Sequence, residues 1–164
     1  ILMASFQSGQ LFSINTHKSL IEKVDIKSIT GIACSGDFIA ISKRDCVLDI
    51  YKGSFDNRLF SLPSYGYDIY CCCLSCDFFT AIVGTRNGFL ILYSLTKGQI
   101  IRLVDLKGKK PNSIAITKSW GFIVCYASKI KTDSVKHYIY VFSINGELIK
   151  KRKIDFPIFS KNKP

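Results

Sequence analysis

The stretch DIYCCCLSCDFFTAIVGTRNGFLILYSLTKGQIIRLVDL, residues 68–106, divides itself into four short apolar runs separated by turn residues. The runs at 68–74, 79–84, 89–95 and 99–106 are rich in Ile, Leu, Val, Phe, Tyr and Cys. Each is apolar over consecutive positions, the pattern of a strand buried on both faces. Asn87-Gly88 between the second and third runs is a strong short hairpin signal and predicts a two-residue type I′ turn, which needs positive φ at both positions. Lys97-Gly98 marks the next turn. Four antiparallel strands are therefore expected within about 40 residues.

The same pattern recurs on either side. SITGIACSGDFIAISKRDCVLDIY (28–51) precedes it, and PNSIAITKSWGFIVCYASKI (111–130) with HYIYVFSINGELIKKRKI (137–154) follows. Ser35, Ser75 and Thr117 share one column, forty and forty-two residues apart; Asp37 and Asp77 share another. A partial copy, GQLFSINTHKSLIEKVDI (9–26), opens the chain and matches the second half of the central one. An immunoglobulin-like sandwich also has short strands and turns, but it does not predict a forty-residue repeat. The repeat points to an all-β fold: a partial β-propeller of about three and a half four-stranded antiparallel blades. Residues 1–27 are expected to end an incomplete blade, 28–67, 68–107 and 108–156 to form one blade each, and 157–164 to be a tail. Propellers close with more blades than this, so the chain is expected to be a piece of a longer one that starts inside a third strand, with Ile1 in place of an initiator Met.

Composition fits this class. The chain has 164 residues, 48% hydrophobic and 21% charged, and Ala and Glu are scarce. Its net charge of +11 predicts attraction to acidic surfaces. Seven cysteines, four of them at Cys71, Cys72, Cys73 and Cys76, suit reduced structural thiols in a cytoplasmic protein. No apolar run approaches the roughly 20 residues of a transmembrane helix, so any membrane contact is expected to be peripheral.

Chemistry-bearing motifs are few. Cys73 and Cys76 form a Cys-x-x-Cys, but zinc wants a second pair, and His17 and His137 lie far off in sequence. Strand alternation also sends Cys72 to the face opposite Cys71 and Cys73. There is no Gly-x-Ser-x-Gly elbow and no phosphate-binding Gly-rich loop, and Glu22 and Glu147 are the two glutamates. The repeated Asp37 and Asp77 are read as caps of tight turns. No catalytic, cofactor or metal residue is assigned, and the chain is expected not to be an enzyme.

Charge placement is more informative. Loops between second and third strands and between blades emerge at one end, where Lys43, Arg44, Arg86, Lys107, Lys109, Lys110, Lys129, Lys131 and Lys136 outnumber Asp45, Asp68 and Asp133. Asp37, Asp77, Lys97, Lys118 and Glu147 nearly cancel at the other end. Lys43, Arg44, Arg86, Asn87, Lys109 and Lys110 are therefore the expected partner-binding residues, with an acidic protein as partner. Nucleic acid or chromatin is the alternative, and base stacking there would need aromatics, of which Tyr65 and Tyr67 are near. Lys150 to Lys153 are expected to protect an outer edge strand.

The repeat resembles the WD-repeat family over almost the whole chain. It departs from that signature where the closing Trp-Asp pair is replaced by Ile50-Tyr51, Tyr93-Ser94 and Phe142-Ser143. TKSWGFIVCYA (117–127) followed by IYVFSINGELI (139–149) is similar to the C-terminal propeller of BEACH-domain proteins, the Beige and neurobeachin group. That resemblance implies a large cytoplasmic scaffold in vesicle trafficking, lysosome-related organelles or autophagy, with a BEACH domain upstream in the same chain.

Overall fold

The computed structural model describes the backbone of residues 2–5, 11–15, 20–24, 26, 28–131 and 134–154, and side chains at 26, 28–130 and 134–154. His17, Asp133 and the 157–164 tail lie outside the described residues, as do the side chains of Glu22 and Lys131. No helix occurs among the described residues, and so none long and apolar enough to cross a membrane.

The chain is all-β. Strands β1 (Leu2–Ser5), β2 (Leu11–Asn15) and β3 (Leu20–Val24) pair antiparallel in one sheet. Three four-stranded antiparallel sheets follow, each with its strands in chain order: β4 (Ile29–Ser35), β5 (Phe38–Lys43), β6 (Val47–Lys52) and β7 (Ser54–Pro63); β8 (Ile69–Ser75), β9 (Thr80–Thr85), β10 (Phe89–Ser94) and β11 (Gln99–Asp105); β12 (Lys110–Ile116), β13 (Ile123–Lys131), β14 (Ser134–Phe142) and β15 (Leu148–Ile154). One expectation is corrected at the start: β1 pairs with β2, so the opening copy contains a strand before the one expected to begin it. The four residues Leu2 to Ser5 are too few to declare a period, and only the pairing reveals them.

Alternation explains why these strands look continuously apolar. In β9, Ala81 and Val83 join Ile91 and Tyr93 of β10 in a core shared with Ala40, Leu48 and Ile50 of the preceding sheet. Ile82, Leu90 and Leu92 point the other way, into a core shared with Ile123, Cys125, Tyr140 and Phe142 of the following sheet. Each Leu or Ile buried this way contributes about 1.5–3 kcal/mol. The middle sheet is thus covered on both faces.

The first strands of the sheets converge: β8 packs against both β4 and β12, while the fourth strands β7, β11 and β15 make little contact with one another. The array is open, not a closed ring. Tyr93 on β10 ties adjacent sheets by donating its hydroxyl to the Pro63 carbonyl at the end of β7, 2.8 Å away.

Each first strand carries a bulge at the same place. Ile29 faces Lys43 and Gly31 faces Ser42, leaving Thr30 as the extra residue; Tyr70 is extra between Ile69 and Cys71, and Asn112 between Pro111 and Ser113. A bulge redirects the side chain it carries. Thr30 and Tyr70 thereby reach the site described below.

Turn chemistry corrects two expectations. Asn87 does not adopt positive φ; Gly88 alone does, at 90°, and its N–H bonds the Thr85 carbonyl at 3.0 Å. The connection is a three-residue turn ending in a left-handed glycine in place of a type I′ hairpin. The Asp37 and Asp77 carboxylates accept no backbone N–H among the described residues, and Asp77 meets the Cys76 thiol at 3.7 Å. The neighbouring Ser/Thr column takes backbone N–H groups instead: Ser75 Oγ accepts from Phe78 N at 3.4 Å and Thr117 Oγ1 from Phe122 N at 2.9 Å within their own turns, while Ser35 Oγ accepts from Cys76 N of the next sheet at 3.0 Å. A hydroxyl carried on Cβ reaches these N–H groups while the carboxylates stay in water.

Candidate functional site

A cleft of about 550 Å³ opens where β4, β8 and β12 begin. Lys43 at the end of β5, Arg44 in the β5–β6 turn, Arg86 in the β9–β10 turn and Lys110 at the start of β12 contribute four cations to its wall. Arg44 and Arg86 are equivalent positions. Each begins its turn by donating its backbone N–H to the carbonyl just before the first strand, Arg44 to Ser28 at 3.0 Å and Arg86 to Asp68 at 2.9 Å. The repeat therefore fixes where both side chains leave the sheet.

Two expected members fall outside the cleft. Asn87 is exposed on the β9–β10 turn and does not line it. Lys109 is 7% exposed: its ammonium donates to the Leu106 carbonyl at 3.0 Å and lies 5.3 Å from the centre of the Tyr138 ring. Burial, with Lys151 and Lys129 nearby, holds its pKa below the usual lysine value. A lysine whose donors are spent on carbonyls is part of the structure, not of a rim. The adjacent Lys110 lies within the first strand and turns towards the cleft, which the Gly-Lys-Lys-Pro spelling does not reveal.

The cations are not equally available. Lys43 Nζ sits 2.8 Å from Asp49 Oδ2, and Asp49, 1% exposed on β6, also accepts a hydrogen bond from Ser61 Oγ and lies 3.8 Å from Arg58. This hydrogen bond, opposed by desolvation, raises the Lys43 pKa. Deleting Lys43 would leave the buried carboxylate to Ser61, Tyr51 and the longer Arg58 contact, and should cost roughly 1–3 kcal/mol. Asp49 was not legible as a site residue: it interrupts an apolar run, and its partners come from neighbouring strands. Lys43 forms the wall between this cleft and a second of about 370 Å³ that Asp49, Tyr51 and Arg58 line. Arg86 faces Asp68 at 3.8 Å, both well exposed, so that pair is weak and screened. Lys107 pairs with Asp105 at 3.0 Å.

Arg44 makes no ion pair with any described residue, and Lys110 makes none either. The Lys110 ammonium instead rests 3.4 Å from the centre of the Tyr70 ring, joining the third sheet to the second. Tyr70 is the aromatic at this site that the sequence did not mark, because its bulge, not its neighbours in sequence, turns it into the cleft.

No protein-family model and no curated protein matches the chain. Solved structures do. The chain is similar to the hydrazine synthase of Kuenenia stuttgartiensis, with a TM-score of 0.72 at 13% identity, over 89% of this chain and 43% of that one. It is also similar to two computationally designed proteins: Ika8, with a TM-score of 0.63 at 12% identity over 92% and 57% of the two chains, and Ika4, at 0.65 and 14% over 82% of each. At these identities the likeness is one of fold alone. The chain spans less than two thirds of the first two.

The buried thiols are poor nucleophiles. Burial pushes the pKa of Cys71, Cys72 and Cys125 up to about 12. Cys71 and Cys73 pack towards the third sheet and Cys72 towards the first, so the run is split between two cores. Among the described residues, no group of three potential ligands is placed to hold a metal.

Proposed function

We propose that the chain is part of a WD-repeat-type β-propeller acting as a non-enzymatic interaction scaffold, which receives an acidic protein partner at the cleft of Arg44, Arg86 and Lys110. The observation that carries this reading is the serial repetition of one four-stranded sheet with first strands converging, because that arrangement gathers equivalent turns, and their cations, at one end. Segments 28–67, 68–107 and 108–156 are then successive blades. The likeness of 117–127 and 139–149 to the Beige and neurobeachin group assigns the scaffold to a BEACH-domain protein of the cytoplasm, in vesicle trafficking or autophagy, with membrane association peripheral. That assignment rests on resemblance, whereas the binding role rests on the surface.

Reversing Arg44, Arg86 and Lys110 to Glu in the full-length protein tests the surface. Acidic proteins that co-purify with the wild type should be lost from the triple variant, as scored by quantitative mass spectrometry. An unchanged set sinks the basic-cleft assignment. The nucleic-acid alternative gains one observation, the Tyr70 ring in a basic cleft, but a face of that ring is taken by Lys110. Steep weakening of oligonucleotide binding with salt would be its signature.

A further inference from the structure

We propose that this cleft is a phosphomonoester site, taking the phosphate of a phosphorylated serine or threonine on the partner protein. The inference rests on the scaffold reading and sharpens it from an acidic partner to a phosphorylated one. Charge matching carries it. Of the four cations lining the cleft, Lys43 is neutralised by buried Asp49, with exposed Asp45 also 3.7 Å away, and Arg86 has the exposed Asp68 carboxylate 3.8 Å away, a weak pair that still balances its formal charge. Arg44 and Lys110 remain, two uncompensated positive charges on opposite sides of the start of β8. A phosphomonoester carries a charge of about −1.5 to −2 at neutral pH and matches both; a carboxylate or a phosphodiester brings one charge and leaves a cation unmatched.

The donors suit the same group. Arg44 offers a planar fork for two phosphate oxygens, and Lys110 a compact ammonium held in place by Tyr70. The Asp68 carboxylate lies between the two turns, 3.8 Å from both Arg86 and the Cys46 thiol, and makes no ion pair with Arg44. A volume of about 550 Å³ exceeds what one phosphate fills, and the Ile69 and Tyr70 side chains provide wall for the residues that flank it. A peptide, not a free ion, uses that space. Base stacking is disfavoured because Lys110 already covers a face of Tyr70.

Calorimetric titration of the full chain tests the site with three peptides identical except at one position, bearing phosphoserine, serine or glutamate among neutral flanks. The phosphoserine peptide should bind at least about tenfold more tightly than the glutamate peptide. Arg44→Gln and Lys110→Gln should each weaken it by about tenfold, whereas Lys97→Gln, in the β10–β11 turn at the far end of the β8–β11 sheet, should not. Equal affinity for the phosphoserine and glutamate peptides overturns the proposal. So does a loss in Lys97→Gln as large as in Arg44→Gln, or displacement of the phosphopeptide by a stoichiometric short oligonucleotide lacking a terminal phosphate. If the phosphopeptide is refused while the triple Glu variant still loses its acidic partner, this inference fails and the scaffold reading stands.

Discussion

Cys46 and Gly88 occupy the same corner of successive turns, with φ of 62° and 90°, yet only one of them is the residue that such a corner favours. A side chain in the left-handed region costs of order 1 kcal/mol, and the Cys46 thiol has only long contacts to offset it, 4.0 Å to the Arg44 carbonyl and 3.8 Å to Asp68. Cys46→Gly should therefore raise stability by about 0.5–1 kcal/mol in urea unfolding. Gly88→Ala should lower it by roughly 2 kcal/mol or more, since its Cβ would also lie 2.9 Å from the Lys109 carbonyl oxygen. The opposite order of the two variants would refute this account of the turns. The sequence marked Gly88 as a turn because glycine advertises its freedom; Cys46 was silent, since nothing in a cysteine announces positive φ. Lys109 and Asp49 were illegible for a related reason. Polar spelling says exposed by default, and only the three-dimensional partners, two carbonyls in one case and Lys43 with Ser61 in the other, make their burial tolerable.

Strand β8 sends Cys72 into one core and Cys71 and Cys73 into the next, and that placement gives the element a pH response. The ordinary thiol value is 9.0, while burial pushes Cys71 and Cys72 up to about 12. Between those values the unfolded chain has released protons that the folded chain retains, so stability must fall as pH rises from about 9 towards 12. Cys125 and Tyr140, the latter also raised to about 12 by burial, act in the same direction; Lys109, lowered, opposes them. Denaturant midpoints in a reducing buffer should drop between pH 8 and 10.5. Cys72→Ala should start lower but drop less, and a parallel drop in both proteins would remove the thiol from the explanation. The strands themselves were largely readable: runs expected at 79–84 and 89–95 appear as β9 and β10 at Thr80–Thr85 and Phe89–Ser94. Turn residues bound them, and burial on both faces made them uniformly apolar. The recurrent bulge was not readable, because register is a relation between two strands and Thr30, Tyr70 and Asn112 share no side-chain type.

Sheets that touch only their neighbours in sequence share stability unevenly. The β8–β11 sheet is packed on both faces, every residue of β9 is buried, and Leu90 to Tyr93 of β10 are buried with them. β15 is exposed along nearly its whole length. Amide hydrogen exchange should be slowest at residues 81–84 and 90–93 and at least about a hundredfold faster on β15, as read by mass spectrometry of peptide fragments. Uniform exchange would mean that the chain opens as one unit. Pairing also separates arrival from selection. From afar an approaching molecule feels a net charge of +11, but at close range Lys43, Lys107 and Arg86 have carboxylates beside them and Lys109 faces inward. The distant field hastens polyanions of equal charge alike, while the unpaired Arg44 and Lys110 of the cleft choose among them. Added salt should thus slow encounters with good and poor ligands together and leave their ranking intact.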